Sequence, residues 1–213
     1  MNQSINHLTI QPTNQSKGYE AHWEVIRRLL FVYAKLNPGQ GYVQGMNEIM
    51  GPIYYVLFHD TANQAHCEAD TFWCFTNLMS EIRDNFIKHL DDSACGIIFK
   101  LERFLNTLKS VDPEVWQKLH EQEIKPQFFA FRWFTILLTQ EFILPDTLRI
   151  WDSLFSDEKR FDFLTFICCA MLTLKRKEIL LGDFSQNVKL VQNYPGSDVQ
   201  LIISKAVEIA GLR

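Results

Sequence analysis

The chain has no run of five or more Lys or Arg residues, and its formal net charge is −4. This removes the electrostatic footprint of a nucleic-acid binder and that of a polybasic membrane anchor. No N-terminal h-region of the secretory kind is present. The longest apolar stretch, Phe161 to Leu174, contains Asp162 and is too short to span a bilayer. Cysteine is sparse: Cys67, Cys74, Cys95, Cys168 and Cys169 make an odd number with no C-x-x-C pair. They read as reduced core thiols of an intracellular, cytoplasmic protein. Sustained period-two alternation is missing, as are heptads and internal repeats, which argues against a sheet protein, a coiled coil and a solenoid.

What is present is apolar residue at helical spacing. The 213 residues are 47% hydrophobic and include seventeen Phe and five Trp, enough for one domain with a large aromatic core. Residues 1–18 are rich in Asn, Gln, Ser and Thr and read as a disordered tail or linker remnant. From Glu20, two apolar rows (Trp23, Ile26, Leu30, Tyr33 and Val25, Leu29, Val32, Leu36) describe a helix that wants covering on two sides. Asn37-Pro38-Gly39 stops it. A second helix is predicted over about Val43–His59, bent or interrupted at Gly51-Pro52. A long one follows from about Ala65 to Leu90. Asp91-Asp92-Ser93 reads as an N-cap cluster for the next helix, and Asp112-Pro113 starts another. Further helices are predicted over Gln127–Glu141, from Leu144, over Phe161 to about Lys177, over Asp183–Tyr194 and over Ser197–Ala210. The stretch from Phe161 is apolar nearly all round, which places it at the centre of the core. The fold class is all-α, a multi-helix array.

The segment Asn37-Pro38-Gly39-Gln40-Gly41-Tyr42-Val43-Gln44-Gly45-Met46-Asn47 is a punctuated turn between two apolar helices. It presents Tyr42 and Gln44 at the junction. A glutamine amide carries both a donor and an acceptor, so it can bond a water and a neighbouring group together. On the residues alone, the favoured reading is the ordinary one, a glutamine that merely caps or hydrogen-bonds the helix it precedes. The glycine spacing Gly39, Gly41, Gly45 does not fit a dinucleotide loop, and no strand precedes it. His59, His66, Asp60, Cys67, Glu68 and Asp70 share no metal-site spacing, so no metal ligand is assigned. Nor is a Ser/His/Asp or Cys/His nucleophile supported.

The pattern Tyr42-x-Gln44-Gly45-x-Asn47 resembles the glutamine-finger motif of TBC-domain proteins, the GTPase-activating proteins of Rab small GTPases. The likeness extends over Ala21–Tyr55, over Ile124-Lys125-Pro126-Gln127-Phe128-Phe129-Ala130-Phe131-Arg132-Trp133, and over Leu144-Pro145 with Arg149-Ile150-Trp151-Asp152-Ser153-Leu154-Phe155, in the family's order. It covers roughly residues 20–212. The resemblance implies a TBC-like domain over residues 19–213, with a partial N-terminal lobe at about 19–90 and a complete C-terminal lobe at about 91–213. It implies that Gln44 stands in for the GTPase's own water-orienting glutamine, while Tyr42, Gly45 and Asn47 shape the loop. The partner would be a Rab in its GTP state, which would carry the GTP and Mg²⁺, so the chain itself needs no cofactor. Membrane contact would be indirect, through the Rab, at the surface of endomembranes in vesicle trafficking.

The family's upstream Ile-x-x-Asp-x-x-Arg motif, source of an arginine finger, does not occur before Tyr42. Arg27 and Arg28 lack that spacing and read as solvated or pairing residues, and Arg132 and Arg149 as structural ones. No arginine finger is identified. A truncated product, an incomplete gene model and a reduced first lobe all stay open, and each predicts an exposed apolar patch on the Trp23–Leu36 helix. Two other readings also stand: a non-catalytic Rab-binding or scaffold module, and an unrelated helical array with Gln44 buried.

Overall fold

Eleven α-helices make up most of the computed structural model, which describes residues 20–86 and 96–211. They are α1 His22–Leu36, α2 Met46–His59, α3 Cys67–Ile82, α4 Ile97–Val111, α5 Pro113–Glu121, α6 Ala130–Thr135, α7 Leu144–Ser156, α8 Phe161–Leu174, α9 Arg176–Leu181, α10 Phe184–Gln192 and α11 Val199–Gly211. Short 3-10 turns occur at Gln64–His66, Arg83–Phe86 and Pro126–Phe128. No strand occurs among the described residues, so the fold is all-α. The expected tail at residues 1–18 and the expected cap Asp91-Asp92-Ser93 lie outside the described residues. The chain divides into two compact units, Met1–Arg83 and Asp84–Arg213.

In the first unit α2 packs on both α1 and α3. Val25, Leu29, Leu30 and Tyr33 of α1, Met46, Ile49, Met50 and Tyr54 of α2, and Phe75 and Met79 of α3 are all buried, and α1 also packs on α3. The Tyr33 and Phe75 rings meet edge to face at 5.0 Å, the arrangement that aromatic quadrupoles favour. Arg28 reaches both Glu20 and Glu68, tying α1 to the start of α3. On α1, Trp23, Phe31 and Leu36 are 58%, 61% and 66% exposed, so the helix is not covered on both sides as its two apolar rows predict, and it carries the exposed apolar patch expected over Trp23–Leu36. Arg27 lies over the Trp23 ring at 5.0 Å and Lys35 over Phe31 at 5.4 Å.

Several boundaries differ from the sequence reading, each for a local reason. α2 begins at Met46 rather than Val43, because Gly45 takes φ 104 and cannot be a helical residue. It then runs through Gly51-Pro52 without interruption; both residues are buried. The helix expected to reach Leu90 ends at Ile82 and passes into the 3-10 turn. The helix expected over Gln127–Glu141 is broken: only Ala130–Thr135 is α-helical, and Leu137 and Leu138 take φ 51 and 65. Two consecutive left-handed leucines are costly. They are held by full burial and by the Trp151 indole, which donates to the Leu137 carbonyl at 2.9 Å.

The second unit is built around α8, where every residue from Phe163 to Leu172 is buried. α11 and α4 pack most extensively on it, with α6, α7 and α9 also in contact. Full burial of each large apolar side chain is worth about 1.5–3 kcal/mol. Tyr194 donates its hydroxyl to the Met171 carbonyl at 3.1 Å, fixing the loop after α10 on α8. Asp112 caps α5 by accepting from the Val115 N–H at 3.2 Å, and Pro113 sits at the first turn. Asp183 and Gln186 form a reciprocal capping box on α10, at 2.8 and 2.9 Å.

Glu141 follows the broken segment, its side chain only 2% exposed and paired with Arg132 at 2.7 Å. Burial pushes its carboxyl above the ordinary glutamate range, and the Arg132 pair opposes this only in part. The folded protein therefore holds the Glu141 proton more tightly than the unfolded chain does. That contribution to stability is complete below the ordinary glutamate value and is lost as pH rises towards the folded-state value. Urea denaturation should show the unfolding free energy of wild type minus that of Glu141→Gln falling as the pH rises from below the ordinary glutamate value to above the raised folded-state value. A difference constant with pH would mean that the carboxyl is not raised.

Candidate functional site

The junction between α1 and α2 is shaped by three residues of unusual backbone preference. Pro38 excludes the α region for Asn37, which leaves the helix at φ −121, ψ 62. The Asn37 N–H and side-chain amide both donate to the Tyr33 carbonyl, at 3.0 and 2.9 Å. Its own carbonyl accepts from the Gln40 and Gly41 N–H groups at 3.1 and 2.8 Å. Gly41 at φ 66 and Gly45 at φ 104 turn the chain into α2. Gly45→Ala forces a Cβ into the left-handed region and should cost about 1–2 kcal/mol in chemical denaturation; a change below about 0.5 kcal/mol would mean that the turn relaxes freely.

Downstream, the loop is fastened to α2. The Tyr42 hydroxyl donates to Asn47 Oδ1 at 3.1 Å, and Asn47 Nδ2 donates to Glu48 Oε1 at 3.2 Å. The Val43 N–H meets Met46 Sδ at 3.3 Å. Tyr42 is 51% exposed; its phenol is raised above the ordinary range, first by the burial it does have and then by the Glu48 charge. It therefore stays protonated and able to donate.

Gln44 stands exposed between these anchors. Its amide has no hydrogen bond among the described residues, and no side chain caps α2. The reading of Gln44 as a helix cap does not describe this geometry, nor does a buried Gln44. Tyr42, Gly45 and Asn47 come together around it. Glu48 and Gln40 also belong to the loop's bonding, and sequence inspection missed both. A Glu on an amphipathic helix and a Gln in a polar turn carry no local signal.

The cations sit elsewhere. Arg27 stacks on Trp23 and Arg28 is engaged by Glu20 and Glu68. Arg28 lies nine residues before Asn37, about 13 Å along the helix at 1.5 Å per residue. Arg83 is nearer: its carbonyl accepts from Gln40 Nε2 at 3.5 Å, and its charge partly opposes the burial that raises the Tyr33 phenol. In the second unit Arg132 bonds Glu141 and the Gln192 carbonyl, while Arg149 bonds Ser153 and Gln200. Among the described residues, no three His, Cys, Asp or Glu side chains gather closely enough to hold a metal ion. Nor is any described helix long and apolar enough to cross a membrane.

The model of the Rab-GTPase-TBC domain matches residues 6–180. The chain belongs to the Rab-GTPase-TBC domain family. It is 60% identical over 208 residues to TBC1 domain family member 13 of Homo sapiens, covering 97% of this chain and 51% of that protein. Identity to TBC1 domain family member 13 of Mus musculus is 63% over the same length, with the same shares covered. The chain thus spans about half the length of these curated relatives. The crystal structure of the Ypt/Rab-GAP domain of Gyp1p superposes with a TM-score of 0.78 at 25% identity, over 92% of this chain and 68% of that one. Within this TBC domain, the α1–α2 loop presents the exposed Gln44 amide, unengaged among the described residues, beside the Tyr42–Asn47 bond.

Proposed function

We propose that this TBC domain accelerates GTP hydrolysis by a Rab-family small GTPase, with Gln44 acting in trans as the glutamine finger. The observation that carries this reading is an exposed Gln44 whose amide is unengaged among the described residues, on a loop tied to rigid helices. Phosphoryl transfer from GTP is catalysed almost wholly by positioning and electrostatics. Gln44 Oε1 can accept a hydrogen bond from the attacking water while Nε2 donates to an oxygen of the Rab active site. GTP and Mg²⁺ belong to the Rab. This chain contributes the amide, and Tyr42, Gly45 and Asn47 contribute its placement. The setting is the membrane surface at which a Rab sits, in vesicle trafficking, reached from the cytoplasm.

A second reading is a non-catalytic Rab-binding module. It is favoured by the engagement of Arg27 with the Trp23 ring and of Arg28 with Glu20 and Glu68. Single-turnover GTP hydrolysis across a panel of GTP-loaded Rabs, with wild type and Gln44→Ala side by side, separates the two. Stimulation that the substitution removes supports the first reading. Binding to a Rab loaded with a non-hydrolysable analogue, without stimulation, supports the second. Neither binding nor stimulation overturns both.

A further inference from the structure

Downstream of Gln44, the loop is tied to α2 by Tyr42–Asn47 and Val43–Met46. Upstream, Asn37 ties the start of the turn to the Tyr33 carbonyl, and one further side chain, Gln40, ties its far end to Tyr33 and Arg83. Tyr33, buried in α1 with its ring against Phe75, donates its hydroxyl to Gln40 Oε1 at 3.0 Å. The same amide turns Nε2 towards the Arg83 carbonyl, at 3.5 Å, just past the end of α3. The Gln40 and Gly41 N–H groups close the turn on Asn37 O. Gln40 thus joins the α1 core, the turn and the segment after α3.

We infer that Gln40 is a positioning residue for Gln44: it latches the upstream side of the loop to Tyr33 and Arg83, so that the finger amide is held from both sides. The inference rests on the reading of Gln44 as the finger. A hinge free on one side lets the amide swing, and a displacement of about 1 Å in a positioned group can cost up to about 10²-fold in rate. Gln40 itself touches neither the reacting water nor the nucleotide. Burial holds the Tyr33 phenol above its ordinary range, so the hydroxyl stays a donor throughout the physiological range.

Two readouts on the full chain test the latch. The first is amide hydrogen exchange of the segment 37–45 in wild type, Gln40→Ala, Tyr33→Phe and the double variant. Tyr33→Phe removes one oxygen and keeps the ring packing, so it guards against a Gln40 variant that folds poorly. The second is the single-turnover rate constant at saturating chain, with affinity for a Rab carrying a non-hydrolysable GTP analogue and with Gln44→Ala as reference. The expected result is faster exchange in both single variants and little more in the double. The rate constant should fall about tenfold in each single variant, with no further loss in the double and with affinity within about twofold. Unchanged exchange in both single variants overturns the latch whatever the rates are. Faster exchange with an unchanged rate constant, while Gln44→Ala abolishes stimulation, leaves the finger standing and overturns the positioning role. A wild type that stimulates no Rab overturns the finger, and the positioning role with it; exchange then reports loop structure alone.

Discussion

Gln44→Ala is expected to lower the single-turnover rate constant of a responsive Rab by about 10²–10³-fold, the loss seen when one positioned donor is taken from a transition state. The loss should fall on the rate constant, because the amide orients water and meets developing charge only as the phosphoryl group transfers. Affinity for the GTP-state Rab should change by less than about threefold, since an interaction made only in the transition state leaves ground-state binding nearly unchanged. Stability should move by less than about 0.5 kcal/mol, because the side chain is exposed and has no partner among the described residues. Gln44→Glu should do no better: a carboxylate accepts from water but cannot donate, and it brings negative charge towards phosphate oxygens. Wild type and variant share every other group, so their ratio reports Gln44 alone, whatever the absolute stimulated rate. Stimulation by Gln44→Ala equal to wild type would remove Gln44 from the chemistry.

The same loop shows how far a sequence carries. Tyr42-x-Gln44-Gly45-x-Asn47 marked the position of the amide, and Pro38, Gly41 and Gly45 marked the turn around it. Periodicity located α1, α4, α7, α8 and α11 within a few residues, because each has an apolar stripe or, for α8, apolar residues all round. The bond from Tyr33 to Gln40 could not be read, because it joins a core residue to a polar one through tertiary geometry. The break after Thr135 was invisible for a related reason. No Gly or Pro marks Leu137-Leu138, and what imposes the left-handed pair is burial together with an indole donor from α7, fourteen residues on. Pro52 did not interrupt α2, one of the two outcomes expected there. Pro52 is disfavoured inside a helix by its missing N–H, yet α2 continues through it with both neighbouring turns packed in the core.

Gly182→Ala is expected to destabilise the protein by about 3 kcal/mol, and here the cause is space rather than backbone conformation. Gly182 has φ −72 and ψ 148, which alanine adopts freely. A Cβ there would stand 2.4 Å from Asn187 Oδ1 and 3.0 Å from the Glu178 carbonyl. The carbonyl belongs to α9 and cannot retreat without unwinding its last turn. Asn187 is 1% exposed, and its Nδ2 donates to Gln122 Oε1 at 2.7 Å, to the Ile179 carbonyl at 2.9 Å and to the Gly182 carbonyl at 3.3 Å. Gln122 Nε2 in turn donates to the Gly182 carbonyl at 3.0 Å. Moving the amide away from the new methyl breaks bonds that hold the α9–α10 corner against the residues after α5. Overpacking costs about 1–3 kcal/mol, and each buried polar group left unpaired about 1–3 kcal/mol more. Asn187→Ala removes the clash but takes the Asn187 donor from the Ile179 carbonyl and from Gln122 Oε1, so alone it should also destabilise. Combined, the two substitutions should cost at least about 1 kcal/mol less than the sum of the singles, because the methyl enters the space the amide leaves. Urea denaturation of the four proteins measures this directly. Strict additivity would show that the methyl and the amide never compete, and that the corner yields at Glu178 instead.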